Sequence, residues 1–463
     1  TAGALESYGL KAVIPGLGLE RPGRVYVDRA DIADLWRRDP ERLRAYALDD
    51  ARDVRDLSAV VTPTQFYQTQ LIPRTFQDVA GGGTGEKINA LLIRAYLAAG
   101  YGVPRPEQPQ PYPGGYTEVR ATGVFRPVVK CDVESLYPAI MLHYRIAPRS
   151  DHRGVFLPLL AELTHRRLDA KQRMRAAHGA DRTYWDAIQG SFKILINSFF
   201  GYLGYGRANF NDYEASRQIT TTGQRLIKQV LTWLEERGCQ VIEVDTDGVY
   251  FVPPPEVRDE AAEEALIEAV GSRLPSGIHL AHDGRYLGML SLKQKTYVLV
   301  TYDRALVTTG SSLRSRRDEP YLRRFAEHAT LALIDGSLDD VSELYIRAAE
   351  TIRAGELGVE DFARRESITR RTFENPSLRR LAQAARGASI GQQITVYQRR
   401  DGSLAPAGTY NDDEDRDYLL RRLHDMARRF AVLCPDKAEF DRLFPRLKAA
   451  EDPRKRLVQP SLF

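Results

Sequence analysis

The run Val128-Val129-Lys130-Cys131-Asp132-Val133-Glu134-Ser135-Leu136-Tyr137-Pro138-Ala139-Ile140 constrains this chain more than any other stretch. Its β-branched, apolar start predicts a buried strand, and Pro138 suits the first turn of a helix that follows. Asp132 then stands at the strand's end. Burying a carboxylate is costly unless a cation or hydrogen-bond donors compensate. Such an acid either caps the next helix or holds a metal, and taken alone capping is the plainer reading. Other elements of the chain decide between the two.

A chain of 463 residues has room for about three or four domains, each able to bury a core. The net charge of +4 permits a polyanionic partner without requiring one, so the distribution of charge carries the argument. Cys131, Cys239 and Cys434 are scattered, with no spacing typical of a zinc site or a disulfide framework, which fits a reducing cytosol. No apolar run approaches the roughly 18 residues of a membrane span, and no leader opens the chain. A cytoplasmic protein without a membrane partner is expected. The chain begins at Thr1 inside an amphipathic segment, which points to an end made by cleavage or engineering.

Residues 1–58 read as the tail of a domain, with Tyr46 and Asp50 on one face of a helix. The glycine-rich stretch Gly81 to Lys87 departs from a phosphate-binding loop, because Glu86 separates Gly85 from Lys87 and Ile88 follows. It reads instead as a flexible loop before a helix from Ile88 to Ala99, with Gly100 as C-cap. A proline-rich connector ends in Tyr112-Pro113-Gly114-Gly115. Residues 157–203 carry two helical patterns joined near Gly179. Arg167, Lys171 and Arg175 form a basic stripe on the first, and Gln189, Lys193 and Asn197 a polar stripe on the second. For either stripe alone, a solvated face suffices. A third helix, about Tyr213 to Arg237, leads into Gln240 to Val252, where Asp247-Gly248 between β-branched and aromatic runs predicts a hairpin. After residue 309 helices rich in arginine take over. Arg314, Arg316 and Arg317 form a like-charge cluster that is costly unless an anion sits there.

Taken together these motifs resemble the family B DNA polymerases. Asp132-Val133-Glu134-Ser135-Leu136-Tyr137-Pro138 is similar to the family's first catalytic motif, Lys193 to Gly201 to its second, and Asp245-Thr246-Asp247 to its third. Tyr112-Pro113-Gly114-Gly115 resembles the element between the editing and synthesis domains, and Lys293-Gln294-Lys295-Thr296-Tyr297 the segment that contacts the primer. Their order agrees as well. Phe200 stands where the family commonly has Tyr, and Gly248 where Ser is common.

The resemblance implies an α+β fold with right-hand polymerase architecture: a palm of antiparallel sheet plus helices, two-helix fingers and a mostly helical thumb. The expected division is a remnant of an exonuclease domain at 1–58, palm at 59–151 and 209–308, fingers at 152–208 and thumb at 309–463. Nucleotidyl transfer needs two divalent cations, Mg²⁺ with Mn²⁺ able to substitute. Their expected ligands are Asp132, Asp247, Asp245 and the Val133 carbonyl. Lys193, counted with the aspartates as catalytic, would join Arg167, Lys171, Asn197, Ser135 and Leu136 in binding the deoxynucleoside triphosphate. Tyr137 would exclude a 2′-hydroxyl. Tyr112, Gly114, Gly115, Lys293, Lys295, Tyr297, Arg314, Arg316 and Arg317 are the expected contacts to primer-template DNA, made to phosphates and independent of sequence.

Only Tyr46 and Asp50 match the editing exonuclease, so no 3′–5′ exonuclease is expected of this chain, and a missing N-terminal part or an accessory subunit remains a partner to consider. The short interval from Asp132 to Lys193 argues for a template-plus-primer enzyme. The competing reading is a catalytically silent homologue that binds duplex DNA as a scaffold. A scaffold has no need of Asp132, Asp247, Lys193 and Arg167 together.

Overall fold

The computed structural model describes residues 8–28, 31–310, 318–388 and 392–449. The chain divides into two units. Among the described residues the first, within 1–114, 134–225 and 275–278, is built from helices, and the twelve strands lie in the second.

In the first unit the helices are α1 (Leu10–Gly16), α2 (Ile32–Arg38), α3 (Pro40–Val61), α4 (Pro63–Leu71), α5 (Phe76–Gly81), α6 (Thr84–Ala98), α7 (Leu136–Tyr144), α8 (Phe156–Ala176), α9 (Gly179–Leu203) and α10 (Tyr213–Glu235). The last of these continues into the second unit from Leu226. Helices α8 and α9 pack along each other as a hairpin, and α4, α6 and α7 also lie against α9. The reason is the buried face of α9: Phe192, Leu195, Ile196, Phe199 and Tyr202 recur at helical spacing and are all buried, with Phe199 edge-on to Phe156 at 5.0 Å. Lys193 and Asn197 therefore fall on the exposed side.

The glycine-rich stretch differs from the expected loop. Thr84 to Lys87 form the first turn of α6, and Lys87 is buried with its ammonium donated to Gln68 Oε1 at 2.8 Å. Glycine at 85 lies close to the Tyr205 ring, where a Cβ would come within 3.1 Å and the ring would have to give way slightly. Packing against that ring offsets the weak helix propensity that the sequence alone registers.

In the second unit the strands are β1 (Thr117–Val119), β2 (Gly123–Phe125), β3 (Val128–Val133), β4 (Gln240–Asp245), β5 (Gly248–Val252), β6 (Leu280–Tyr286), β7 (Gly288–Lys293), β8 (Thr296–Val300), β9 (Leu306–Thr309), β10 (Arg364–Ser367), β11 (Gln393–Gln398) and β12 (Leu404–Pro406). They form sheets ordered β1-β4-β5-β3-β6, β2-β7-β8-β9 and β10-β11-β12, with every pairing antiparallel. The mixture of helices and antiparallel sheets is the α+β class expected. Strand β3 lies between β5 and β6, and Val128, Val129, Cys131 and Val133 are fully buried, as an apolar β-branched run in a sheet interior should be. Helix α11 (Glu260–Gly271) covers β6.

Beyond β9, helices α12 (Pro320–Asp335) and α13 (Leu338–Ala354) pack with helix Arg416–Ala427 around Phe325, Tyr345, Leu423 and Phe430. Several arginines of this region serve internal acids. Glu319 is fully buried and accepts from Arg422 Nη2 at 3.0 Å and Tyr418 OH at 2.7 Å, with Arg364 Nη1 at 3.5 Å. Asp318 takes Arg422 Nη2 at 2.9 Å and Arg429 Nη1 at 3.0 Å. The cluster Arg314, Arg316 and Arg317 lies outside the described residues.

Candidate active site

In the second unit, register brings the acidic motifs together. Asp132 at the end of β3 is opposite Gly248 of β5, and Asp245 at the end of β4 is opposite the same glycine. The turn between β4 and β5 is tight: Thr246 adopts φ +64°, and the Asp247 amide donates to the Asp245 carbonyl at 2.7 Å. The Val133 amide donates to the Asp247 carbonyl at 2.9 Å and so ties the end of β3 to that turn. Residues more than a hundred positions apart thus line one cavity of about 250 Å³, whose walls include Lys130, Asp132, Asp245, Asp247, Tyr250 and Tyr297.

Three carboxylates and one lysine line the cavity. Burial pushes the Asp247 carboxyl above its ordinary pKa, and the neighbouring charge of Asp245 adds to the shift, while Lys130 opposes it. Carboxylate oxygens crowded in this way form a hard donor set of the kind Mg²⁺ or Mn²⁺ accepts. Asp245 is already engaged, its Oδ1 lying 2.9 Å from Lys295 Nζ. Among the described residues no group of three or more His, Cys, Asp or Glu is arranged to hold a metal ion. Asp132 and Asp247, which line the cavity, could contribute oxygens to one, and substrate oxygens and water would complete its shell.

The turn that carries Lys295 is held from beneath. Lys295 sits at φ +55° between β7 and β8, and its amide donates to Glu243 Oε1 at 2.6 Å. Glu243 is fully buried, and desolvation pushes its carboxyl up to about 7. Gln294 Nε2 fixes the other side of the turn on the Thr117 carbonyl at 3.0 Å. Lys293 closes β7 with an exposed side chain. Tyr297 is buried, its hydroxyl 3.0 Å from that of Tyr250, so it belongs to the cavity wall and is not an outward-facing side chain.

In the first unit a basic set gathers at the start of α7. Ser135 there adopts φ +50°. Arg167 Nη1 donates to Ser135 Oγ at 3.3 Å, and Lys171 Nζ lies 3.5 Å from Glu134 Oε1. Burial pushes the Arg167 guanidinium below its ordinary pKa, and its Nε is buried without a hydrogen-bond partner among the described residues. A partly desolvated cation with an unused donor is suited to an anion. Lys193 and Asn197 lie on the exposed face of α9, and Leu136 is buried as α7 begins. The Tyr137 ring packs on Phe200 with centroids 4.2 Å apart, and a Cβ at Gly223 would come within 3.2 Å of it.

Tyr112 completes this aromatic group, 6.3 Å from Phe200, with its hydroxyl where a Cβ at Gly204 would be. Tyr112 is thus packed internally. The Gly114 carbonyl accepts from Gln224 Nε2 at 2.8 Å, and Gly115 opens the second unit. Near the start of the chain, Asp50 pairs with Arg24, and Lys11 lies over the Tyr46 ring at 4.3 Å.

Three polar residues of the sheet were not singled out from the sequence: Lys130, Asp283 and Glu243. A lysine between Val129 and Cys131, and a glutamate between Ile242 and Val244, interrupt runs that are otherwise buried, which is the signal that was available.

Residues 143–378 match the profile of DNA polymerase family B, and the chain belongs to that family. DNA polymerase 1 of Pyrococcus abyssi is 27% identical over 389 residues, covering 76% of this chain and 50% of the relative. The DNA polymerase of Thermococcus sp. (strain 9oN-7) is 26% identical over 402 residues, covering 79% and 52%. The chain spans about half the length of these relatives. The family B DNA polymerase of Pyrobaculum calidifontis shares the fold with a TM-score of 0.69 at 18% identity, over 94% of this chain and 62% of that one. The matched segment contains Lys193, Asp245, Asp247 and Lys295, while Asp132 and Tyr137 precede it. Among the described residues no helix is long and apolar enough to cross a membrane.

Proposed function

We propose that this chain is the synthetic core of a template-directed DNA polymerase, extending a primer 3′-hydroxyl with deoxynucleoside triphosphates. The observation that carries the reading is the meeting of Asp132, on β3, and Asp247, in the turn between β4 and β5, in one cavity of a family B chain. Two divalent cations, when bound, would activate the 3′-hydroxyl and neutralise the departing pyrophosphate. In this reading Asp132 and Asp247 hold them, with the Val133 carbonyl as a further oxygen and Asp245 in a lesser part. Mg²⁺ is the proposed ion, with Mn²⁺ able to replace it.

Arg167, Lys171 and Lys193 take the triphosphate, aided by Asn197 and the backbone amides after Ser135. The unused Nε of Arg167 supports that role. Lys293, Lys295 and the glycines at 114 and 115 are assigned to primer-template DNA. The division into palm, fingers and thumb given above is part of the same proposal. Primer extension by the purified chain with Mg²⁺ and deoxynucleotides tests it; no extension would favour the scaffold reading.

Tyr137 is assigned to the sugar of the incoming nucleotide, braced by Phe200. Tyr137→Ala is expected to relax discrimination against ribonucleotides by at least about tenfold. Competition between ribo- and deoxynucleotides in single-nucleotide extension measures this, and unchanged discrimination would remove the role.

We also propose that this chain carries no 3′–5′ exonuclease. Asp50 and Asp53 are both committed to Arg24, and Asp53 also to Arg21, so these acids are spent on internal ion pairs. A 5′-labelled primer incubated with Mg²⁺ and no nucleotide is expected to keep its length. Shortening that disappears in Asp50→Ala would refute this.

A further inference from the structure

Lys130 places a positive charge inside the carboxylate cavity. Its Nζ pairs with Asp283 of β6, lies 3.9 Å from Asp132 Oδ2 and sits 5.7 Å from the centre of the Tyr250 ring. The side chain is four-fifths buried, and its ammonium is paired with Asp283, whose own side chain is half exposed. Its stem passes over the strand opposite: a Cβ at Gly248 would lie 3.1 Å from Lys130 Cε and 3.4 Å from Asp132 Oδ2. The bare glycine opposite Asp132 is therefore the space in which this lysine lies, and the two residues form one fitted element of the site.

We propose that Lys130 is a positioning residue that acts as the resident cation of this cavity. It holds the Asp132 carboxylate in place before any divalent ion arrives and opposes the binding of such an ion while no nucleotide is present. The inference rests on the metal reading of Asp132 and Asp247 given above. Its physical basis is proximity. A fixed ammonium about 4 Å from a carboxylate attracts the same oxygen that a divalent ion requires, and it repels that ion at short range in a partly desolvated space. A nucleotide would bring negative charge with its ions and reverse the balance, so stable occupancy would depend on the triphosphate. Asp283 has the complementary part of drawing Lys130 to one side, leaving the cavity open.

The test uses the full chain without nucleotide or DNA, titrated with Mn²⁺ while free Mn²⁺ is followed by electron paramagnetic resonance. Lys130→Met keeps the stem over Gly248 and removes the charge; it is expected to bind Mn²⁺ about tenfold more tightly. Lys130→Arg keeps the charge and is expected to bind within about twofold of the unmutated chain. Equal or weaker binding by Lys130→Met would overturn the inference, as would equally tight binding by both variants, which would make the effect one of shape. The control is Asp247→Ala placed on Lys130→Met: if the double variant binds Mn²⁺ as tightly as Lys130→Met alone, the ion is not held at these carboxylates, and the metal reading falls and takes this inference with it. If the control behaves and Lys130→Met does not tighten binding, only the role of Lys130 is lost.

Discussion

Asp247→Ala is expected to reduce primer extension by at least about 10³-fold, the scale on which removal of a preorganised charge-stabilising group acts. The loss should fall on the chemical step and leave binding of primer-template DNA unchanged. The reason lies in the surroundings of this carboxyl, which burial and the charge of Asp245 push above its ordinary pKa and which lines the same cavity as Asp132. Asp245→Ala is expected to cost far less, on the order of tenfold, because Asp245 is already given to Lys295. Single-turnover extension at saturating DNA separates the two, with circular dichroism confirming that both variants fold. Equal losses would mean that Asp245 is a full ligand and that its pairing with Lys295 gives way in the working enzyme. An active Asp247→Ala would end the two-carboxylate reading.

The second large effect concerns stability. Glu319→Ala is expected to destabilise the second unit by about 3–5 kcal/mol, because it removes one partner of a buried ionic network and leaves Arg364 and Arg422 without their shared carboxylate. The arginines keep about a quarter of their side-chain exposure, which points to the lower end of that range. Urea unfolding followed by a signal from this unit should show a lower midpoint with an unchanged slope. Glu236→Ala is the comparison, since its pair with Arg273 lies in the same unit, is exposed on both sides and should contribute less than about 1 kcal/mol. Similar losses for the two variants would show that burial of Glu319 does not govern its contribution.

Glu319 also shows where reading charge from the sequence stops. For the cluster Arg314, Arg316 and Arg317 the sequence points to an anion. For Arg364, Arg422 and Arg429 the structure supplies another use, the satisfaction of acids that the fold itself buries. Composition cannot separate these cases, because the partners Asp318 and Glu319 are distant in sequence from Arg422 and Arg429.

The sequence by itself determined the local elements. Strand Val128–Val133, the hairpin around Asp247-Gly248 and the helical pair on either side of Gly179 follow from side-chain periodicity and turn chemistry, which act over a few residues. It also located the acids and bases with chemical potential. Only the tertiary structure decided that β3 lies beside β5, so that Asp132 and Asp247 share a cavity, and that Asp245 turns to Lys295. It alone put a lysine among the carboxylates and made Lys87 part of a buried helix turn. Register, close approach at glycines and the pairing of buried charges depend on contacts between distant segments, and the free energy of such contacts is not written in any one stretch of the chain.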